Sequence, residues 1–317
     1  MDYYAEDEAM NLLHIKNNSA PGAGGQGRGE KPLWLRRLKK MKKSEIALCA
    51  ASWAAAFITG AVLIYITAFI IVKGVPYIKP SLFALTYTSE NVSLTPSLIT
   101  TVITAALSLA LAVPSGVFAA IYLAEYARRG SKVVAFIRLC SETLSGIPSI
   151  VYGLFGLIFF VTFLGWGFSV LAGAFTLFLM TLPLIMRSTE EALRGVPDAW
   201  REGAFSLGAG KLRTVFRIAL PAASPGILAG VILTIGRIAG ETAALIYTAG
   251  TASKTPLTPL DSGRTLSVHM YTLSSEGLHS GESFAVAAVL LVLVIFINAA
   301  ASFTAKAICR IEKREKN

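Results

Sequence analysis

The sequence predicts an all-α polytopic membrane protein of six transmembrane helices, with both termini in the cytoplasm. Three observations predict it. Of 317 residues, 54% are hydrophobic and 15% charged, against about 25% charged in an ordinary soluble domain, which argues against one long soluble core. Six apolar runs, at 46–72, 94–123, 141–164, 167–187, 222–249 and 283–306, are each long enough to cross about 30 Å of hydrocarbon. The basic residues gather in alternate connections. Nine Lys and Arg lie in the N-terminal tail, four in 124–140, six in 187–221 and five from Lys306 onward; the other connections hold Lys73, Lys79, Lys254 and Arg264. That excess marks the cytoplasmic side. It also turns the net charge of +10 into a topology signal and argues against nucleic acid as a partner.

Residues 1–43 read as a cytoplasmic tail, acidic at first (MDYYAEDEA), then glycine-rich, then basic (KPLWLRRLKKMKK). The glycine-rich middle cannot bury enough apolar surface to order itself. The basic end suits anionic lipid headgroups, with Trp34 at the interface. These polar residues leave no cleavable signal peptide to expect. Residues 44–93 hold the first span and an external loop, 94–306 a core of five helices, and 307–317 a cytoplasmic C-terminal tail. Gly165-Trp166-Gly167 joins the third and fourth spans as a tight hairpin, and Pro114, Pro148 and Pro183 predict kinks. No internal repeat is visible, which argues against carriers built from two similar halves. Cys49, Cys140 and Cys309 lack CxxC spacing, and His14, His269 and His279 form no metal pattern.

The fifth run contains GRIAGETAALIY at 236–247. Arg237 and Glu241 would lie near the bilayer centre, where each charge costs several kcal/mol unless paired or hydrated. On a continuous helix Thr234, Arg237, Glu241 and Thr248 share one face, which must meet a water-filled cavity or the bundle interior. A weaker stripe, Ser97, Thr101, Thr104 and Ser108, marks the second run. One reading of Arg237 and Glu241 is an i,i+4 ion pair that fixes packing. The other is an anion site, because arginine stays charged and offers a planar fork to an oxyanion. Both hold if the pair re-forms around a passing anion.

The segment 187–221, RSTEEALRGVPDAWREGAFSLGAGKLRTVFRIALP, reads as a helix from Pro197-Asp198, a reversal at Gly208, and a second amphipathic helix through Leu212, Val215, Phe216 and Ile218, ended by Pro221. Gly203 and Ala204 on the first helix permit close approach by another protein; a plain helical connection is the alternative. Gly210-Lys211 imitates the end of a P-loop, but Phe205 replaces the first glycine and Leu212 the magnesium-binding Ser or Thr.

This segment resembles the loop of the inner-membrane permeases of ATP-binding-cassette importers, E-A-A, three residues, G, nine residues, I-x-L-P. The matching positions are Glu202, Gly203, Ala204, Gly208, Ile218, Leu220 and Pro221, with Gly203 in place of the first alanine. The stretches SETLSGIPSIVYGLFG (141–156), LPLIMRSTEEALRGVPDAWREGAFSLGA (182–209) and LPAASPGILAGVILTIGRIAGETAALIYTAG (220–250) are similar to the permeases of phosphate-specific importers, of the PstA type. The resemblance covers about 94–306. It implies the type I importer permease fold in a bacterial cytoplasmic (inner) membrane, and a coupling helix docked on an ATPase. It implies as partners a PstC-type permease, two PstB-type ATPase subunits, a PstS-type extracytoplasmic phosphate-binding protein and membrane lipid. ATP and magnesium would sit on the ATPase, with no cofactor, metal or catalytic residue in this chain. The substrate path would run past Arg237, Glu241, Thr234 and Thr248. The 250–282 segment is expected outside, as a docking surface for the binding protein or as a plain loop. The rivals are an importer for another oxyanion, such as sulfate or molybdate, and an ion-coupled secondary carrier.

Overall fold

The computed structural model describes residues 43–128 and 130–315, and among these every regular element is a helix. The expectations for residues 1–42 lie outside the described residues. The chain divides into two units, Met1–Ile64 and Tyr65–Asn317. In the first, the described residues form the start of α1 (Lys43–Gly74). Leu48, Trp53, Phe57 and Leu63 project from it exposed. A helix apolar all round belongs in lipid or in a larger core.

In the second unit, α2 (Thr95–Ile121) ends in a π turn, Tyr122–Tyr126. Next come α3 (Lys132–Gly146) and α4 (Ser149–Gly156), the latter prolonged by a π segment, Leu157–Phe163. Helix α5 spans Val170–Arg194, α6 Asp198–Ser206, α7 Lys211–Thr214 and α8 Leu220–Ala239. Short α9 (Ala243–Ile246), α10 (Leu266–Glu276) and long α11 (Ser280–Glu315) complete the chain. Five stretches are long and apolar enough to cross a membrane unbroken: Ala47–Tyr77, Thr95–Tyr126, Val170–Arg194, Lys211–Ala239 and Ser280–Ala300. Helices α3 and α4, bent by 99° to one another, pass the same test only when taken together, and make a sixth crossing if the pair is one span.

That bend corrects the expectation of a merely kinked third span from 141. Pro148 disfavours helical backbone in the residue before it, and Ile147 is extended (φ −73°, ψ 131°). The fifth span also differs. Pro221 does not end a helix; α7 runs through a π turn at Val215–Ala219 into α8, whose first turn holds Pro221. The π turn just before Pro221 accommodates the proline within a continuous helix, so the crossing begins near Lys211, not at 222. The last helix likewise continues through most of the expected tail, to Glu315.

The tight hairpin expected at 165–167 is present, with Gly165 and Gly167 at φ +69° and +65°, backbone that side chains resist. Helix α5 is the centre of the second unit, packed against both α2 and α8. The polar stripe on α2 faces inward: Ser97, Thr101, Thr104 and Ser108 are at most 4% exposed. The hydroxyls of Thr101, Thr104 and Ser108 bond within the helix, and Thr101 Oγ1 also accepts from Leu266 N at 2.8 Å.

Candidate anion path and coupling surface

Helix α8 stops at Ala239, so the shared helical face does not extend to Glu241 and Thr248. Gly240 caps the helix, and Thr242 leaves helical backbone (φ −120°, ψ −52°). The Glu241 carboxylate accepts a hydrogen bond from Ala244 N at 3.2 Å. A side chain that satisfies an amide three residues on starts a new turn instead of prolonging the old one. Glu241 is 9% exposed, and its backbone oxygen accepts from Ser267 Oγ at 2.5 Å. Helix α10 therefore packs against the break.

Arg237 lies in the last turn of α8 and is exposed. It makes no ion pair with Glu241 or any other acid among the described residues. Thr234 and Thr248 are fully buried, and donate to Gly230 O at 2.9 Å and Ala244 O at 2.8 Å. The structure thus gathers Glu241, Thr248 and Ser267 around one backbone break, leaves Arg237 facing outward, and uses both threonine hydroxyls internally. The break is closely packed: a Cβ on Gly153 of α4 would meet Ala244 Cα at 2.8 Å.

The 250–282 segment is no plain loop. Carbonyls of Thr248, Pro259 and Asp261 accept from Ser169, Leu171 and Val170 N, the first amides of α5, which lack partners within their own helix. Backbone amides of Leu257 and Thr258 bond to Asp261 and hold its carboxyl below the usual range, those of Thr258 most strongly. Arg264, counted above only as an outer charge, is 6% exposed. Its guanidinium lies 4.5 Å over the Tyr87 ring and reaches Thr272 Oγ1 at 3.4 Å. His269 is fully buried. Burial, assisted by the Arg264 charge, pushes its pKa down to about 3. Among the described residues no group of His, Cys, Asp and Glu could hold a metal ion.

At the far end, α6 presents Glu202 and Gly203 exposed and Ala204 buried. Gly208 reverses the chain at φ +80°. Trp200, Phe205, Leu207 and Leu212 stand 48–90% exposed around it. Ile218, Leu220 and Pro221 are half-buried where the π turn meets α8. One feature escaped the sequence reading. Arg201, side chain 14% exposed, pairs with Glu125, 8% exposed, at 2.7 Å. The residues are 76 positions apart, so no local pattern could reveal them.

Residues 112–308, more than half of the chain, match the family of binding-protein-dependent transport system inner membrane components. The chain belongs to that family. It is 39% identical over 195 residues to a probable ABC transporter permease protein, YqgI, of Bacillus subtilis, covering 56% of this chain and 66% of the relative. It is 36% identical over 177 residues to the phosphate transport system permease protein PstA 2 of Mycobacterium bovis, covering 55% of this chain and 58% of the relative. The match thus spans less than two thirds of either relative. The fold resembles a chain of the bacterial alginate ABC transporter, crystallised with its alginate pentasaccharide-bound periplasmic protein. The TM-score is 0.62 at 16% identity, covering 88% of this chain and 99% of that one. The chain is a multi-pass membrane transport subunit with the type I importer permease fold.

Proposed function

We propose that the chain is one permease half of an ATP-driven importer of inorganic phosphate in a bacterial cytoplasmic membrane. Both termini and α6 would face the cytoplasm; the 250–282 segment would lie outside and contribute to docking an extracytoplasmic phosphate-binding protein. Residues 94–306 form the core, preceded by the first span and external loop in 44–93, and 1–43 and 307–317 are cytoplasmic. The carrying observation is Arg237, an exposed, unpaired guanidinium in the last turn of an apolar span. A permanent cation there is tolerated if it lines a hydrated path or faces a partner subunit. An oxyanion on such a path meets a bidentate donor. Glu241, buried at the break that follows and not paired with Arg237, disfavours an anion held nearby and so lets it leave; Thr234 and Thr248 hold the flanking backbone.

The coupling surface supports ATP drive. Glu202, Gly203, Ala204, Gly208, Ile218, Leu220 and Pro221 stand in the loop that bears an exposed apolar patch, which suits the groove of a separate ATPase that holds ATP and magnesium. The full assembly would contain a second permease of PstC type, two PstB-type ATPases and a PstS-type binding protein. Resemblance to relatives named as phosphate permeases favours phosphate over sulfate or molybdate. Labelled phosphate uptake into proteoliposomes holding the complete complex tests this reading. Uptake should require the ATPase subunit and ATP, and excess sulfate should not compete. Uptake without the ATPase would point to a secondary carrier; strong sulfate competition would point to another oxyanion.

A further inference from the structure

The Arg201 guanidinium binds four chain segments at once. Nε and Nη2 donate to the Glu125 carboxylate at 3.1 and 2.7 Å. Nη1 donates to Val196 O at 2.7 Å and Asp198 Oδ1 at 3.1 Å, and Nη2 also donates to Leu193 O at 2.8 Å. Leu193 belongs to the last turn of α5, Val196 to the link after it, Asp198 to the start of α6, and Glu125 to the π turn ending α2. Every nitrogen of the planar fork is engaged. A lysine ammonium, a single point charge, cannot serve these directions together.

The surroundings favour a stiff joint. Removing one partner of a buried ion pair leaves an uncompensated buried charge, so the pair resists opening. Ile121, Leu193, Val196 and Val215 pack beside it as one apolar cluster. On the other side of the Gly208 reversal, Lys211 Nζ lies 4.9 Å over the Tyr126 ring. The tip of α2 therefore grips the coupling loop on both sides of the Gly208 reversal.

We infer that the Arg201–Glu125 pair is the tie that carries movement of α6 to the second span. This rests on the importer reading, in which the ATPase pulls on α6. Packed interfaces transmit such displacements as rigid-body shifts when their contacts do not yield. Helix α2 is the suitable receiver, because it packs along α5 and carries the buried Ser97–Ser108 stripe that bonds to the start of α10. Arg201 is thus a positioning residue and touches no substrate.

The test is the number of anions imported per ATP hydrolysed by the complete complex in proteoliposomes. Glu125→Gln and Arg201→Gln complexes should hydrolyse ATP, with import per ATP at least tenfold lower. In a chain with Cys49, Cys140 and Cys309 replaced by serine, Glu125→Cys combined with Arg201→Cys should be equally uncoupled. A bifunctional thiol cross-linker spanning the two cysteines should restore the ratio. A mere loss of stability would lower assembled complex, not the ratio. An unchanged ratio in the single variants overturns the inference. So does a failure of the cross-link to restore coupling, and the cross-linked pair decides the matter if the single variants do not assemble. If the parent complex imports another anion in place of phosphate, the substrate reading fails and the same ratio is measured with that anion.

Discussion

Arg237 and Glu241 stand four residues apart and do not pair: the helix ends between them, and the Glu241 carboxylate instead accepts the Ala244 amide at 3.2 Å. A glutamine at 241 keeps an oxygen for that amide and loses only the charge. At neutral pH phosphate carries a proton and sulfate does not. On the proposed anion path the Glu241 carboxylate would accept a hydrogen bond from that proton and repel sulfate, and an unmatched buried polar group discriminates strongly. Glu241→Gln should therefore preserve assembly while lowering phosphate-over-sulfate preference at least tenfold, about 1.4 kcal/mol. Competition uptake checks it, and an unchanged preference removes Glu241 from selectivity.

The break at 240–242 is held by packing as well as by hydrogen bonds. An alanine Cβ at Gly153 would come 2.8 Å from Ala244 Cα and 3.1 Å from Ala243 O. Both are backbone atoms, so no side chain can rotate away. Overpacking of this kind costs about 1–3 kcal/mol. Gly153→Ala should lower the melting temperature of the purified permease and reduce uptake more than expression.

Gly203 offers the opposite case. It lies within α6, has ordinary backbone angles, and nothing lies within 4 Å of an added Cβ. Replacing glycine by alanine inside a helix stabilises it by roughly 0.5–1 kcal/mol. Gly203→Ala should slow limited proteolysis of the 195–210 segment and leave uptake intact. Loss of assembly would show that the missing methyl is needed for docking.

His269 makes stability depend on pH. Its pKa falls from 6.5 to about 3 on folding. The unfolded chain therefore binds a proton between those values that the folded chain refuses. The stabilisation from neutral His269 is complete above about pH 6.5 and is lost as pH falls toward 3, at up to about 1.4 kcal/mol per pH unit. Thermal unfolding at pH 7.5 and 5 should show a larger acid loss for the parent than for His269→Gln. Equal losses would place the acid sensitivity elsewhere.

Much of the architecture was legible because lipid simplifies the physics. Apolar runs of sufficient length, Gly165 and Gly167, and the α2 stripe each carry a local signal that burial obeys. The failures were local competitions that periodicity does not see. At Pro148 the chain bends by 99° between α3 and α4, a π turn lets the chain run through Pro221, and the Glu241 side chain ends a helix that apolar composition would continue. Gly208 as a chain reversal was legible from sequence, whereas Arg237 and Glu241 were placed on one continuous helix that in fact ends between them. Arg201–Glu125 and the burial of Arg264 were not legible, because their partners meet only after folding.

The most direct test of the account is labelled phosphate uptake by proteoliposomes of the complete complex, Arg237→Ala against the parent, with sulfate as competitor and ATP hydrolysis followed in parallel. The predicted result is assembled complex that still hydrolyses ATP while uptake falls to background. Uptake retained in Arg237→Ala would contradict the account, since the exposed guanidinium would then serve packing or a partner subunit instead of the anion.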